Sequence, residues 1–127
     1  MLLFLSILIF CEASYADVFY VSADKLSINR ITLNVSGDLQ EIKDVIPKLN
    51  GTEYGNIFAF THDGQNRLLV TRRTANNFYI EIYDINDLSA PLSSKDLSSL
   101  NVHYINTISE FGSNILIAGI KGYEYNE

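Results

Sequence analysis

The amino-acid sequence predicts an all-β fold of antiparallel strands, on three observations. From residue 18 onwards, β-branched and aromatic residues alternate with polar ones in short runs. Gly, Asn, Asp and Ser stand between these runs, where chain reversals need them. No stretch keeps a 3.6-residue apolar period, and the best helical candidate, Leu39 to Leu49, is interrupted by Pro47.

The N-terminus reads as an export signal. Leu2 to Phe10 is apolar except for Ser6, and Glu12 ends the run. At about 1.5 Å per residue, such a run spans roughly half of a ~30 Å hydrocarbon core, which suits a signal and not a membrane span. Ser14-Tyr15-Ala16 places small residues at the −3 and −1 positions of a cut after Ala16, although no Lys or Arg precedes the apolar run. Cys11 follows the bulky Ile9 and Phe10, unlike a lipid-attachment cysteine, and leaves with the signal. The domains are then a signal at 1–16 and a β-repeat region at 17–127, and the mature length is 127 − 16 = 111 residues. Without a cysteine, this region holds together by packing and carries no thiol chemistry. The expectation is a secreted, extracellular protein with no stable membrane span after cleavage. Two sequons fit it, at Asn34 (Asn34-Val35-Ser36) and Asn50 (Asn50-Gly51-Thr52), both beside turn-forming residues.

The expected strands follow in order: Val18 to Ala23, Leu26 to Leu33, Leu39 to Val45, Ile57 to Thr61, Arg67 to Arg72, Phe78 to Asp84, Val102 to Ile108, Asn114 to Gly119 and Gly122 to Tyr125. In the sixth, Phe78, Ile80 and Ile82 share one face and Tyr79, Glu81 and Tyr83 the other. The chain also resembles itself. Gly64, Asn66 and Leu68 recur as Gly112, Asn114 and Leu116, at an offset of 112 − 64 = 48. Phe19-Tyr20-Val21-Ser22 matches Leu68-Leu69-Val70-Thr71 at 68 − 19 = 49. A hairpin-built period near 48 suits a β-propeller blade, and the copies fall near 17–50, 57–100 and 102–127.

Within the second copy, Ile80-Glu81-Ile82-Tyr83-Asp84-Ile85-Asn86-Asp87-Leu88-Ser89-Ala90-Pro91 is similar to the propeller repeats called LVIVD repeats. Tyr83-Asp84 stands at the strand end, Asn86-Asp87 at the turn and Pro91 after it; Leu88 stands where such repeats often carry a further Pro. The resemblance implies a propeller used for extracellular or surface binding, and it carries no catalytic motif. The turn has its own account, since Asp and Asn side chains bond nearby backbone N–H groups and Pro presets φ.

Length bounds what such blades form. The smallest closed propeller needs four blades, or about 180 residues, whereas 111/48 gives roughly two and a third. The expected architecture is therefore an incomplete propeller of antiparallel blades, with a small open β-sandwich as the alternative. A fragment or degenerate paralogue is favoured over assembly of several chains, and open sheet edges allow self-association.

Composition narrows the function classes. With 47% hydrophobic and 12% aromatic residues the chain is not a disordered one, and a net charge of −6 excludes sequence-independent nucleic-acid binding. His62 and His103 are 103 − 62 = 41 residues apart, with no local metal spacing, and Thr61-His62-Asp63-Gly64 reads as a turn. Asp84, Asn86 and Asp87 lack the Gly and Glu of a calcium loop. Arg72-Arg73 reads as a solvated dibasic turn. Tyr79, Tyr83, Tyr104, Tyr123 and Tyr125 suit either blade packing or a recognition surface, with packing favoured. The expectation is a binding or scaffold module with a protein or glycan partner, no cofactor, and no catalytic or metal-binding residue assigned. The alternative is a fragment of a secreted propeller enzyme, hydrolase-like, whose site needs further blades.

Overall fold

Three antiparallel sheets follow one another along the chain, in a computed structural model that describes residues 17–100, 102–111 and 114–121. The first sheet holds β1 (Val18–Val21), β2 (Ile28–Leu33) and β3 (Leu39–Ile42), in that order. The second holds β4 (Glu53–His62), β5 (Gln65–Arg73), β6 (Phe78–Asp84) and β7 (Ser93–Asp96). The third holds β8 (Val102–Phe111) and β9 (Asn114–Lys121). A single 3-10 turn, Ser98–Leu100, is the one helical element among the described residues. The protein is all-β, as the alternation of its residues predicts, and Leu39 to Leu49 forms a short strand and an irregular link instead of a helix.

The sheets radiate from a common edge. Each is a meander, and the link out of its last strand enters the first strand of the next sheet, from β3 to β4 and from β7 to β8. The close backbone approaches between sheets join β1 to β4 and β4 to β8. The opposite edges, β3 and β7, are exposed at every residue. First strands side by side and last strands in solvent are compatible with an incomplete propeller or an open sandwich, and the described sheets do not close into a ring.

The core lies between the first two sheets. On the face toward the first sheet, Tyr54, Leu68, Val70 and Tyr83 form one cluster with Ile28 and Ile46, and Phe19, Val21 and Ile57 pack around it. Leu69 and Thr71 lie on the reverse face of β5 and are also buried. Leu68-Leu69-Val70-Thr71 is thus buried without interruption, as expected of a strand covered on both sides. Ile46 anchors the β3–β4 link between the two sheets, and the Pro47 carbonyl accepts a 3.3 Å bond from the Tyr54 hydroxyl.

Turn chemistry sets the registers. Asp63 and Gly64 both lie at positive φ, 49° and 71°, and close β4 onto β5 with the pair His62↔Gln65. Two consecutive positive φ values make the primed turn whose twist suits a hairpin. After β6, Asp84 Oδ1 accepts from the Asn86 amide at 3.0 Å, and Asp87 Oδ1 accepts from the Ser89 amide and hydroxyl. The bonds from Ser89 depress the Asp87 pKa.

Several boundaries differ from the sequence reading, for physical reasons. β4 begins at Glu53 and not Ile57, because a register shift between Tyr54 and Ile57 breaks its alternation. β7, Ser-Ser-Lys-Asp, has no apolar residue and exists through backbone pairing with β6. The β8–β9 hairpin closes with Phe111↔Asn114, and 111 − 62 = 49, so Asn66 sits one rung further from its turn than Asn114 does. The β8–β9 pairing has two register shifts of its own, between Val102 and Tyr104 and between Ile105 and Thr107. The segment 1–16 with Ala16 and Cys11, the residue Gly112, and the expected strand Gly122 to Tyr125 lie outside the described residues. Among those described, no helix is long and apolar enough to cross a membrane.

Candidate functional site

The site is built where β5 ends, beside the start of β4 and the β1–β2 turn. Arg72 and Arg73 are consecutive on a strand, so their side chains leave on opposite faces. Arg72 points toward the first sheet, where its guanidinium lies 4.1 Å from the centre of the Tyr79 ring. Its Nε and Nη2 donate to Glu81 Oε1 at 2.9 and 2.8 Å. Glu81 is buried and also accepts from the Tyr83 hydroxyl at 2.9 Å and the Ser94 hydroxyl at 3.3 Å. A carboxylate taken from water requires such partners. Burial, followed by the bond to Glu81 and its negative charge, drives the Tyr83 hydroxyl pKa well above its ordinary value of 10.0. Tyr54 is raised too, first by burial and then by the same charge.

The β1–β2 turn contributes Lys25. Its φ is +61°, a left-handed conformation unusual for a long side chain. Two backbone bonds hold it there: its amide donates to the Ser22 carbonyl at 2.9 Å, and its carbonyl accepts from the Tyr54 amide at 2.8 Å. The second bond crosses from the first sheet to the second. The Lys25 backbone is thereby held at the mouth of the cleft, with its side chain exposed.

The floor is a β-bulge. A side chain at Gly55 would place its first carbon 2.6 Å from the Thr71 hydroxyl, so the strand passes there only as glycine. The Thr71 hydroxyl accepts from the Asn56 amide at 2.7 Å, and the Asn56 side-chain amide donates to the Ile105 carbonyl of β8 at 2.8 Å. One bulge thus binds the second sheet to the third. Bulges of this kind re-aim side chains beside functional sites.

Together these residues enclose a cleft of about 420 Å³, with Tyr54 and Phe78 supplying apolar wall and Ser22, Asn56 and Thr71 polar groups. Its charged residues are Lys25, Arg72, Arg73 and Glu53. Three of the nine Lys and Arg residues of an acidic chain therefore meet at one place. Arg73 faces Glu53 across the strands and lies 5.7 Å from the Phe78 ring centre. The volume suits a small ligand or one projecting group of a larger one. Its chemistry is donor-rich, fitted to carboxylates, hydroxyls and carbonyls.

The other residues singled out in the sequence fall elsewhere. His62 is half-buried beside Asp63, 3.4 Å away, at the hairpin end of β4. His103 and Tyr104 lie in β8, and Asn114 and Leu116 in β9. Gly64, Asn66 and Leu68 form the β4–β5 hairpin, Leu68 reaching the core. Asn50 is exposed in a turn ahead of the buried Thr52. Asn34 is half-buried, its Oδ1 accepting from the Ser36 and Asp38 amides at 2.9 Å each. Tyr83 is core, and Tyr79 supports Arg72. Among the described residues no group of three His, Cys, Asp or Glu is placed to hold a metal. Arg72-Arg73 stands out in the sequence; Lys25, Gly55 and Asn56 do not, since a turn, a bulge and a contact between sheets leave no periodic trace.

Comparison with protein-family models, with curated proteins and with solved structures gives no match.

Proposed function

We propose that this chain is an exported β-repeat protein, secreted or displayed at the cell surface, that acts as a binding or scaffold module. The observation that carries the reading is the cleft between the first two sheets. A strained Lys25 and the only Arg-Arg pair of the sequence meet there beside aromatic wall and polar floor. Strain retained at a surface lysine marks a position whose geometry matters. The partner is a protein or glycan that presents a carboxylate or hydroxyl group to Lys25 and Arg73. The blade-like meanders and the Tyr83-Asp84, Asn86-Asp87 and Pro91 pattern support a propeller of the LVIVD-repeat kind. The apolar run before Ser14-Tyr15-Ala16 supports export with cleavage after Ala16, and Asn34 and Asn50 are the glycan acceptors in this reading.

Two measurements test it. Mass spectrometry of protein from the medium of expressing eukaryotic cells is expected to find an N-terminus at Asp17; an intact Met1 overturns the export reading. Arrays of acidic peptides and of glycans, probed with the same protein, are expected to show binding that Lys25→Glu weakens by about tenfold or more. Silence on both arrays, or binding indifferent to Lys25→Glu, overturns the cleft.

A further inference from the structure

We infer that the cleft is one part of a longer groove, and that its ligand is an extended acidic peptide segment draped over the end of the second sheet. The inference rests on the binding-module reading and names the chemistry of the partner. Three depressions meet around Arg73: the cleft of about 420 Å³, a second of about 290 Å³ and a third of about 460 Å³, each with Arg73 in its wall. The cleft opens beside the β1–β2 turn, and the second depression lies toward Ser98 and Val102 at the start of β8. The third lies beside Gly51 and Thr52, ahead of β4. Phe78 is common to the first and second, Glu53 to the first and third, and Thr74 and Ala75 to the second and third. The β5–β6 turn between them is fixed, because the Thr74 amide donates to the Asn77 carbonyl at 2.9 Å and the Asn77 amide to the Thr74 hydroxyl at 3.1 Å. A fixed common wall lets one chain-like ligand enter all three depressions without rearranging the site.

Charge and the burial of the aromatic rings select that ligand. The chain carries a net charge of −6, yet the groove gathers Lys25, Arg72 and Arg73 against a single carboxylate, Glu53. An acidic segment is drawn to this place and repelled by the rest of the surface. Arg72 is committed to the buried Glu81, so Lys25 and Arg73, both exposed, are the cations that ligand carboxylates reach. A saccharide ring packs its apolar face on an open aromatic ring, but the two rings of the groove, Tyr54 and Phe78, are buried. The second and third depressions offer short side chains instead: Thr74, Asn76 and Ser98, with Leu26 and Ala75. Hydroxyls and amides bond the N–H and C=O groups of an extended backbone, and Leu26, 48% exposed, receives an apolar side chain. Basic clusters read acidic motifs in extended segments in this manner.

Fluorescence anisotropy with two labelled probes tests this: a nonapeptide of three Glu-Ser-Val repeats and the tripeptide Glu-Ser-Val, both with blocked ends. The purified full chain is used after enzymatic removal of N-glycans, because Asn50 directly precedes Gly51 at the rim. The nonapeptide is expected to bind about tenfold or more tighter than the tripeptide, beyond the roughly threefold that three equivalent registers supply. Replacing its Glu by Gln is expected to cost about tenfold. Lys25→Glu is expected to weaken the nonapeptide, as are Ala75→Glu and Asn76→Glu, each by about tenfold. Ala75 and Asn76 are exposed in the β5–β6 turn, so the circular dichroism stays that of the parent. Lys95→Glu, exposed on β7 and outside the groove, is expected to change nothing. Equal binding of the long and short probes overturns the proposal, as does a nonapeptide indifferent to Gln or to both Ala75→Glu and Asn76→Glu. If Lys25→Glu still weakens binding in those cases, the cleft stands and the groove falls. Binding of uronic-acid oligosaccharides in place of the nonapeptide likewise overturns the peptide and leaves the binding module. Silence toward every probe overturns the proposal, and binding on the peptide or glycan arrays then shows the module standing without it.

Discussion

Arg72 and Glu81 meet diagonally across β5 and β6 on the second sheet's inner face, one rung apart, with both Nε and Nη2 of the arginine on one carboxylate oxygen, at 2.9 and 2.8 Å. The carboxylate is 3% exposed at the residue level, so its partners replace water almost completely. Removing one member of a buried pair leaves an uncompensated charge, at a cost of about 3 kcal/mol or more. Glu81→Gln is therefore expected to lower the stability of the chain by about that amount, read as a fall in the urea midpoint with an unchanged slope. An unchanged midpoint would show the pair to be no part of what holds the sheets together.

Tyr83 gives the same cluster a signature in pH. Its hydroxyl is protonated in the fold well above 10.0, its ordinary value, because burial and then the Glu81 bond and charge oppose ionisation. The unfolded chain releases that proton near pH 10.0 and the folded chain holds it. Stability from Tyr83 is thus complete below pH 10 and lost as pH rises through the folded pKa. Urea midpoints measured from pH 8 upwards are expected to fall above pH 10, and Tyr83→Phe is expected to flatten that fall. An equal alkaline slope in both proteins would refute the assignment.

The acid side has its own contributor. Asp17 is bonded to Arg30, and although burial raises its pKa, the bonds from Arg30 and Thr32 and the arginine charge bring it below the ordinary 3.8. A depressed carboxylate stabilises above the unfolded value and loses that contribution as pH falls through the folded one. Asp17→Asn is expected to reduce the loss of stability between pH 4 and pH 2, measured by urea midpoints across that range. Asp17 is partly exposed, so the effect is a fraction of that at Glu81.

How much of this was legible in the sequence depends on whether a residue acts through its neighbours in the chain or across a gap. Phe78-Tyr79-Ile80-Glu81-Ile82-Tyr83 declares a strand by alternation, and Asp63-Gly64 declares its turn by backbone preference. β7 declares nothing, because Ser93–Asp96 pairs through backbone groups that every residue carries. Glu81 reads only as sharing a strand face with two tyrosines, and Ser94 and Arg72 become its partners only when β5 and β7 flank β6. Nothing in the sequence marks Gly55; its constraint is the Thr71 hydroxyl on the next strand. The cleft was not legible: Arg72-Arg73 reads as a solvated turn, whereas both stand in β5 with Arg72 bonded to the buried Glu81, and Lys25 entered the cleft through a left-handed turn that a lysine does not advertise.

That constraint at Gly55 is open to a direct test. A methyl group there would meet Thr71 Oγ1 at 2.6 Å, inside any tolerated contact, and Thr71 is 2% exposed with its hydroxyl bonded to Asn56. Gly55→Ala is expected to cost about 1–3 kcal/mol, the range for overpacking a filled site. Removing the obstructing oxygen relieves the clash but leaves the Asn56 amide without its acceptor, so Gly55→Ala with Thr71→Ala is expected to fall short of the sum of the single effects. Unfolding of the two single variants and the double variant measures that coupling, and residues in contact give about 0.5–3 kcal/mol of it. Additive losses would mean that the bulge is not held by this contact, and the Asn56 bond to the third sheet would then need another support.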